Sequence, residues 1–112
     1  MKTELLHGTL DVMILKVLSW GPMHGYGVGQ RIEHLGGDAL RIEEGSLYPA
    51  LYRLERKDWI DAEWGLSEKN RRARYYRLTP AGRRALKSSV TLWGSFADAV
   101  GRVLSAAQPA RA

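Results

Sequence analysis

The chain has no cysteine among its 112 residues. This absence excludes a disulfide-stabilised fold, a thiolate metal site and a thiol nucleophile. Apolar residues never run for more than four positions, in VMIL, whereas a membrane-spanning helix needs roughly 18. The first residues, MKTELLHG, lack the apolar region and cleavage site of a secretion signal, so a cytoplasmic protein is expected.

Acidic residues are missing from one long stretch, between Lys69 and Lys87. This stretch holds eight of the 17 basic residues and no aspartate or glutamate, in a chain whose net charge is +5. Such local asymmetry favours a polyanionic partner, and nucleic acid before a membrane surface. A solvated basic face without a partner is the alternative that charge alone leaves open.

Signals for chemistry are also scarce. The histidines His7, His24 and His34 do not stand at metal-ligand spacing, so neither a metal nor another cofactor is expected. No nucleophile, acid and base form a recognisable catalytic arrangement, which argues against an enzyme. The glycine-dense HGYGVGQ has Gln30 where the dinucleotide fingerprint requires glycine, and it follows a predicted helix rather than a strand.

Hydrophobic periodicity predicts two helices before residue 36. The first, 9–18, is expected to be capped by Thr9 and stopped by the Gly-Pro pair at 21–22. The second, 24–35, ends at a pair of glycines. Its other glycines indicate a close crossing with a neighbouring helix.

A third helix is predicted in SLYPALYRLERK, where Leu47, Leu51 and Leu54 share one face. Because proline fits an α-helix only within the first turn, this helix is expected to begin near Ser46, which would cap it. The adjacent Glu43 and Glu44 are interpreted as helix-start charges. The opposite face would present Pro49, Tyr52, Arg53 and Arg56, with Tyr48 at its edge.

A hairpin and a long helix complete the chain. Alternation over 60–64 predicts one strand, RYYRLT (74–79) the return strand, and the polar segment between them a projecting loop. Thr79 and Pro80 then give a strong start signal for a helix to about residue 106. Its apolar residues form a heptad seam: Leu86, Val90, Trp93, Ala97, Val100 and Leu104, widened by Phe96 and Val103. The seam is longer than one small domain can cover, so it indicates a homodimer.

The tryptophans are assigned by position. Trp20, Trp59 and Trp64 flank the ends of elements and are expected to seal the core. Trp93 lies in the seam, where packing is favoured over stacking on a small-molecule effector.

The predicted fold is mainly α with a small β-hairpin: a winged helix-turn-helix domain (1–79), a C-terminal dimerisation helix (80–107) and a frayed tail (108–112). In such a domain the third helix enters the major groove of double-stranded DNA, and the hairpin forms a wing along the minor groove or its phosphates. Simpler roles stay open: Tyr48 as a core-edge aromatic, and Arg56, Lys57 and the wing cations as solvated charges. The DNA contacts expected from residue type are Ser46, Tyr48, Pro49, Tyr52, Arg53, Lys69, Asn70, Arg71, Arg72 and Arg74.

Three blocks resemble the PadR family of bacterial transcriptional regulators. They are GTLDVMILKVLSWGPMHGYGVGQRI, EEGSLYPALYRLERKDWIDAEW and NRRARYYRLTPAGRRAL, which lie in the family's order within residues 5–90. The resemblance implies a winged-helix homodimer that binds palindromic operator DNA, usually as a repressor. It further implies release by phenolic or lipophilic effectors, often at the dimer interface. The single C-terminal helix matches the family's compact branch.

The resemblance also assigns residues. The recognition-helix motif SLYPAL falls on 46–51, the wing arginines on Arg71 and Arg72, and the start of the second helix on His24 to Tyr26, which adds those two to the DNA contacts. Similar sequences commonly have glycine at the end of the recognition helix, where this chain has Asp58, so the end of that helix is left open.

We therefore expect a homodimeric repressor whose half-sites lie about one helical turn apart. The dimer interface would combine the seam with Leu10 of the first helix and with Leu6, which precedes that helix. Two other functions stay open: a winged-helix protein-interaction module without specific DNA binding, and a small enzyme or ligand carrier. Tight protein binding beside poor duplex affinity would favour the first of these, and turnover or a retained cofactor the second.

Overall fold

A computed structural model describes the backbone of residues 3–109 and the side chains of residues 8–109. The elements follow the predicted order, with one added short strand. They are α1 (Thr3–Leu18), β1 (Met23–His24), α2 (Gly25–Leu35), α3 (Glu44–Arg56), β2 (Ile60–Leu66), β3 (Arg72–Leu78) and α4 (Pro80–Ser105).

The core lies where the first three helices meet the inner end of the hairpin. The largest fully buried side chains of the core come from α1, α2, α3 and β2: Ile14, Leu15, Leu18, Val28, Leu51, Leu54 and Ile60. Removing these apolar side chains from water supplies the main driving force for folding.

The glycines of α2 allow a close crossing with α3, as predicted. A Cβ placed on Gly25 would lie 2.8 Å from Cε1 of Tyr48, and one on Gly29 would lie 3.1 Å from Cδ2 of Leu47. Larger residues would therefore push α3 outward from the core.

The start of α1 differs from the prediction. The helix begins at Thr3, so Thr9 lies inside it rather than capping it. The preceding residues, TELL, are largely good helix formers, and their propensity extends the helix through the expected cap.

The start of α3 also differs. Glu43 is the N-cap, and its carbonyl accepts hydrogen bonds from the N–H groups of Ser46 (3.0 Å) and Leu47 (2.9 Å). The expectation that Ser46 caps the helix is wrong, and Pro49 lies in the second turn. Pro49 cannot donate to the carbonyl of Gly45, but Gly45 is exposed, so water can replace the missing donor. Glu44 lies in the first turn, which agrees with a helix-start charge.

The end of α3 is defined by Asp58, the position that the sequence left open. Asp58 has φ 63°, and its N–H donates to the Glu55 carbonyl at 3.0 Å. The next N–H, of Trp59, donates to the Leu54 carbonyl at 3.1 Å. This pair of bonds is the Schellman pattern, so aspartate performs here the left-handed termination that glycine usually provides.

The sheet has three antiparallel strands in the order β1-β3-β2. Both hairpin strands extend further toward the loop than predicted, although β3 ends at Leu78 rather than Thr79, and the connecting loop shortens to residues 67–71. The strand β1 was not predicted, because two residues are too few to show an alternating pattern. It pairs Met23 with Tyr76 and His24 with Tyr75, and so ties the start of α2 to the hairpin.

The predicted cap of α4 is confirmed. The Thr79 hydroxyl accepts from the Gly82 N–H at 3.0 Å and donates to the Asp58 carbonyl at 2.7 Å. A Cβ on Gly82 would overlap the carbonyl oxygen of Trp59, so only glycine fits where α4 crosses the start of β2. These contacts fix the direction of α4 relative to the end of α3.

Most of α4 projects from the body. Its 26 residues span roughly 39 Å, and the molecule measures 65 × 28 × 22 Å. The radius of gyration is 16.7 Å, compared with about 13 Å for a compact chain of this length. From Val90 to the end of α4, every residue except Ala99 is exposed.

Two tryptophans contradict the expectation that they seal the core. Trp20 is 54% exposed in the turn after α1, and Trp64 is 57% exposed on β2. Only Trp59 packs against the core as expected, and it is partly buried there.

Candidate nucleic-acid interface

The polar face of α3 is uncovered, as its periodicity predicted. Tyr52 is 61% exposed, and Pro49 and Arg56 are exposed beside it. The Arg56 guanidinium lies 5.7 Å from the centre of the Tyr52 ring, a cation–π distance. This face therefore presents an aromatic hydroxyl and a cation together.

Arg53 differs from its neighbours on this helix. Its Nη2 donates to the Asp11 carboxylate on α1 at 2.8 Å, and its side chain is 32% exposed. The Asp11 side chain is only 15% exposed, so the pair is partly screened from water. Sequence reasoning treated Arg53 as a free cation, whereas the structure engages it in holding α3 against α1.

Tyr48 combines the two roles that the sequence left open for it. Its ring packs against Gly25, yet 42% of the residue is exposed. Burial raises the pKa of the Tyr48 phenol above its ordinary value of 10.0, and Glu44 and Tyr76 raise it further. The hydroxyl therefore stays protonated near neutral pH and can donate a hydrogen bond to a phosphate.

The start of α2 contributes one exposed ring and one structural histidine. His24 caps α2, because its Nδ1 accepts from the Gly27 N–H at 3.0 Å. Its ring also meets the Tyr75 ring edge-on, with centroids 5.7 Å apart. Tyr26, by contrast, is 55% exposed, and Ser46 is exposed in the first turn of α3.

The wing loop is short and closed by its own hydrogen bonds. The Ser67 N–H donates to the Arg71 carbonyl at 2.8 Å, and the Asn70 N–H donates to the Ser67 carbonyl at 2.9 Å. Asn70 has φ 60°, so it serves the turn as well as facing solvent. Lys69, Arg71 and Arg72 are exposed around it, and in the described part of the chain none of them forms a salt bridge.

Arg74 connects the wing to α3. Its Nη2 donates to the Glu55 carboxylate at 2.8 Å, and its guanidinium also lies 5.7 Å from the centre of the Tyr76 ring. Like Arg53, it is held by a partner within the chain. The wing and the recognition helix are thus joined through side chains as well as through the backbone.

The seam of α4 is largely uncovered. Of the predicted interface residues, Val90, Trp93, Phe96, Ala97, Val100 and Leu104 are exposed, and Leu104 is 80% exposed. Leu86 is partly buried against the core, and Leu10 is only 6% exposed, which leaves it little surface for a partner chain. The Leu6 side chain lies outside the described residues.

A groove of about 260 Å³ separates α1 from α4. Trp93 and Phe96 line it with ring centroids 5.9 Å apart, and Val12 and Leu92 complete its apolar walls. This groove holds Trp93, the seam residue for which stacking on an effector was the less favoured of two roles. Leu92, 70% exposed, was not among the predicted residues, because it lies off the heptad seam.

Sequence reasoning missed Asp11, Glu55 and Trp64. The two carboxylates hold arginines that are 42 and 19 residues away in sequence, and no local pattern predicts such pairs. The sequence did contain a signal for Trp64, because this residue lies toward the loop end of a strand whose partner strand is rich in arginine.

In the described residues, no group of three or more histidine, aspartate or glutamate side chains could hold a metal ion. No helix of the same part of the chain is long and apolar enough to cross a membrane.

Comparison with known proteins gives consistent matches. Residues 14–88 match the model of the transcriptional regulator PadR-like family. A transcriptional regulator of Mycobacterium tuberculosis is 39% identical over 83 residues, which are 74% of this chain and 74% of that protein.

Solved structures agree with the sequence match. A transcriptional regulator from Clostridium thermocellum superposes with a TM-score of 0.79 at 29% identity, over 89% of this chain and 97% of that one. A PadR-like transcriptional regulator from Bacillus cereus gives 0.76 at 26% identity, over 94% of this chain and all (100%) of that one. The winged-helix fold with a long C-terminal helix is confirmed.

Proposed function

The chain belongs to the PadR-like family of transcriptional regulators, and we propose that it is a homodimeric repressor of the cytoplasm that binds a pseudo-palindromic DNA operator. The observation that carries this proposal is the uncovered face of α3, with Tyr52, Pro49 and Arg56, beside a wing whose loop cations are exposed. An exposed helix flanked by a basic hairpin matches the shape and charge of duplex DNA.

Within this proposal, α3 enters the major groove. Tyr52 and Arg56 meet base edges or phosphates there, and Tyr48, Ser46 and Tyr26 donate to the backbone on either side. Arg71, Arg72 and Lys69 of the wing neutralise phosphates along the minor groove. His24, Arg53 and Arg74 support these groups, because each already has a partner inside the chain.

Dimerisation is assigned to residues 80–107, with α1 beside them. The exposed seam of α4 is the support for this assignment, since a monomer leaves large apolar groups such as Val103 and Leu104 in water at 74% and 80% exposure. Burying them against a second copy gains roughly 25 cal/mol for each Å² of apolar surface. A two-fold axis along paired α4 helices would set the distance between the two copies of α3.

The groove between α1 and α4 is the proposed effector site. Its aromatic walls, formed by Trp93 and Phe96, suit a small aromatic or lipophilic molecule that stacks between them. Such a ligand would act where the dimer helices meet α1, which also carries Asp11, the partner of Arg53.

The test of the function is selection of duplexes from a random-sequence library by the purified protein. We expect enrichment of a two-fold symmetric sequence and, with that sequence upstream of a reporter gene, reduced expression when the protein is present. Failure to retain any duplex at low salt would contradict the proposal. Tight binding of an acidic protein in that case would favour the interaction-module alternative.

A further inference from the structure

One face of the β2–β3 hairpin packs against the core at its inner end and is exposed at its outer end. Residues paired across antiparallel strands share a face, as do alternate residues within a strand. The inner pairs on this face, Ile60 with Leu78 and Ala62 with Tyr76, pack in or against the core. The outer pairs are Trp64 with Arg74 and Leu66 with Arg72, and here Trp64 is 57% and Leu66 63% exposed.

The exposed Trp64 ring is surrounded by guanidinium groups. The Arg72 guanidinium lies 4.5 Å from the ring centre, and that of Arg74 lies 5.9 Å from it. Because Arg74 also binds Glu55 of α3, this face turns toward the recognition helix. The tryptophan therefore lies on the surface that joins the helix to the wing.

The opposite face of the same hairpin has a different character. There Arg77 donates to Asp61 at 2.9 Å and lies 3.9 Å from Glu63, so its charge is neutralised within the sheet. Only the Trp64 face carries cations beside an open apolar surface. This difference between the faces suits the Trp64 side of the wing to a partner surface that combines negative charge with apolar parts.

We propose that Trp64 is itself a DNA contact, packing its exposed ring against deoxyribose beside the minor groove while Arg72 neutralises the adjoining phosphate. The inference rests on the proposed function and adds an apolar contact to a wing that was expected to act through charge alone. Duplex DNA fits this surface because its backbone alternates apolar sugar with anionic phosphate at short range. Because the Arg74–Glu55 ion pair joins this face to α3, Trp64 would contact DNA while α3 lies in the major groove.

The experiment compares Trp64→Ala with Arg72→Ala in titrations of the full-length protein with its selected duplex at several salt concentrations. Loss of the apolar contact should weaken binding about tenfold. The dependence on salt should not change, because no phosphate contact is lost. Arg72→Ala should instead lower the slope of log K against log salt by about one.

Trp20 offers a matched control. It is 54% exposed and also carries a cation on its ring, with Lys16 Nζ 5.4 Å from the centre, but it lies outside the hairpin. Trp20→Ala should bind the duplex as the parent does. Trp64→Phe should retain most of the affinity that Trp64→Ala loses.

Quenching by iodide gives a second measurement that does not depend on affinity. The parent should show tryptophan emission, quenched by iodide, that Trp64→Phe lacks. When duplex is added, iodide should no longer quench that emission. Unchanged affinity of Trp64→Ala, or Trp64 emission that stays quenchable in the complex, would overturn the inference. If Trp64→Ala lowered the salt slope as Arg72→Ala does, the ring would only hold the arginine, which would also overturn it. A parent protein that binds no duplex would instead contradict the proposed function.

Discussion

At the scale of single residues, Arg53 shows that a cation on the polar face of α3 can be paired within the chain. Arg53 has the position expected of a base-reading cation, but Asp11 holds it at 2.8 Å. Breaking a partly buried ion pair is costly, because removal of one member leaves the other charge desolvated and unpaired. We therefore propose that Arg53 positions α3.

Exchange of these two charges separates positioning from contact. Asp11→Arg and Arg53→Asp should each lower the free energy of unfolding by about 1–3 kcal/mol. The double variant should recover most of that loss in urea denaturation and, with it, the affinity for duplex. Recovered stability without recovered affinity would show that Arg53 touches DNA. The exposed pair Asp61 and Arg77 is the control, since its exchange should change stability by less than about 1 kcal/mol.

Gly82 provides a second test at this scale. Since a Cβ there would overlap the Trp59 carbonyl, Gly82→Ala should lower the free energy of unfolding by about 1–3 kcal/mol. Gly94→Ala is the matched control on the same helix, because among the described residues nothing beyond the neighbouring residues and local backbone of α4 lies within 4 Å of the added carbon. It should raise stability by about 0.5–1 kcal/mol. Equal effects of the two changes in thermal or urea denaturation would contradict the close approach.

Among the elements, those with strong local signals were predicted well. The start of α4 follows from Thr79 and Pro80, which need no information from the rest of the chain. The start of α3 was predicted at the wrong residue. The rule that confines proline to the first turn of a helix does not consider that water can donate a hydrogen bond to an exposed carbonyl. The strand β1 depends on pairing with Tyr75 and Tyr76, about 50 residues later, so no local pattern could predict it.

The candidate site was predicted less completely than the fold, for a related physical reason. Residue type and periodicity placed Tyr52 and the wing arginines on exposed surfaces. They could not show that Arg53 and Arg74 find carboxylates on other elements, or that Trp64 lies beyond the end of the core. Such facts depend on tertiary distances, which one sequence does not contain.

The wing as an element should act mainly through charge spread over its loop. Replacing Arg71 and Arg72 together by alanine should weaken binding to all duplexes alike and lower the salt slope by about two. Arg77→Ala, on the neutralised face of the same hairpin, should leave the slope unchanged. The measurement is fluorescence anisotropy with selected and scrambled duplexes, and a loss confined to the selected sequence would contradict this role.

The helix α4 should act as the dimerisation element. Val100→Glu with Leu104→Glu places two like charges in the exposed seam, so the mass measured by light scattering should fall from two chains to one. Arg102→Glu lies off the seam and should leave the dimer intact. A monomeric mass for the parent, or a dimeric one for the double variant, would contradict the assignment.

At the scale of the whole molecule, hydrogen bonds at the start of the long α4 set its direction relative to α3. Thr79 caps α4 through the Gly82 N–H and donates to the Asp58 carbonyl after α3, so in the proposed dimer the seam would also fix where the two copies of α3 point. The elongated shape, 65 Å in its longest dimension, suits a body at one end and an interface along the rest. The central claim is that a rigid two-fold dimer reads two half-sites at once.

The most direct test of that claim is the dependence of affinity on half-site spacing. The selected duplex should bind two chains together, and an insertion of half a helical turn, ~5 base pairs, should rotate one half-site away from its recognition helix. Affinity should then fall to that of a single half-site, a loss of about 100-fold or more. Equal affinity for the two duplexes, or binding of one chain per selected duplex, would contradict the account.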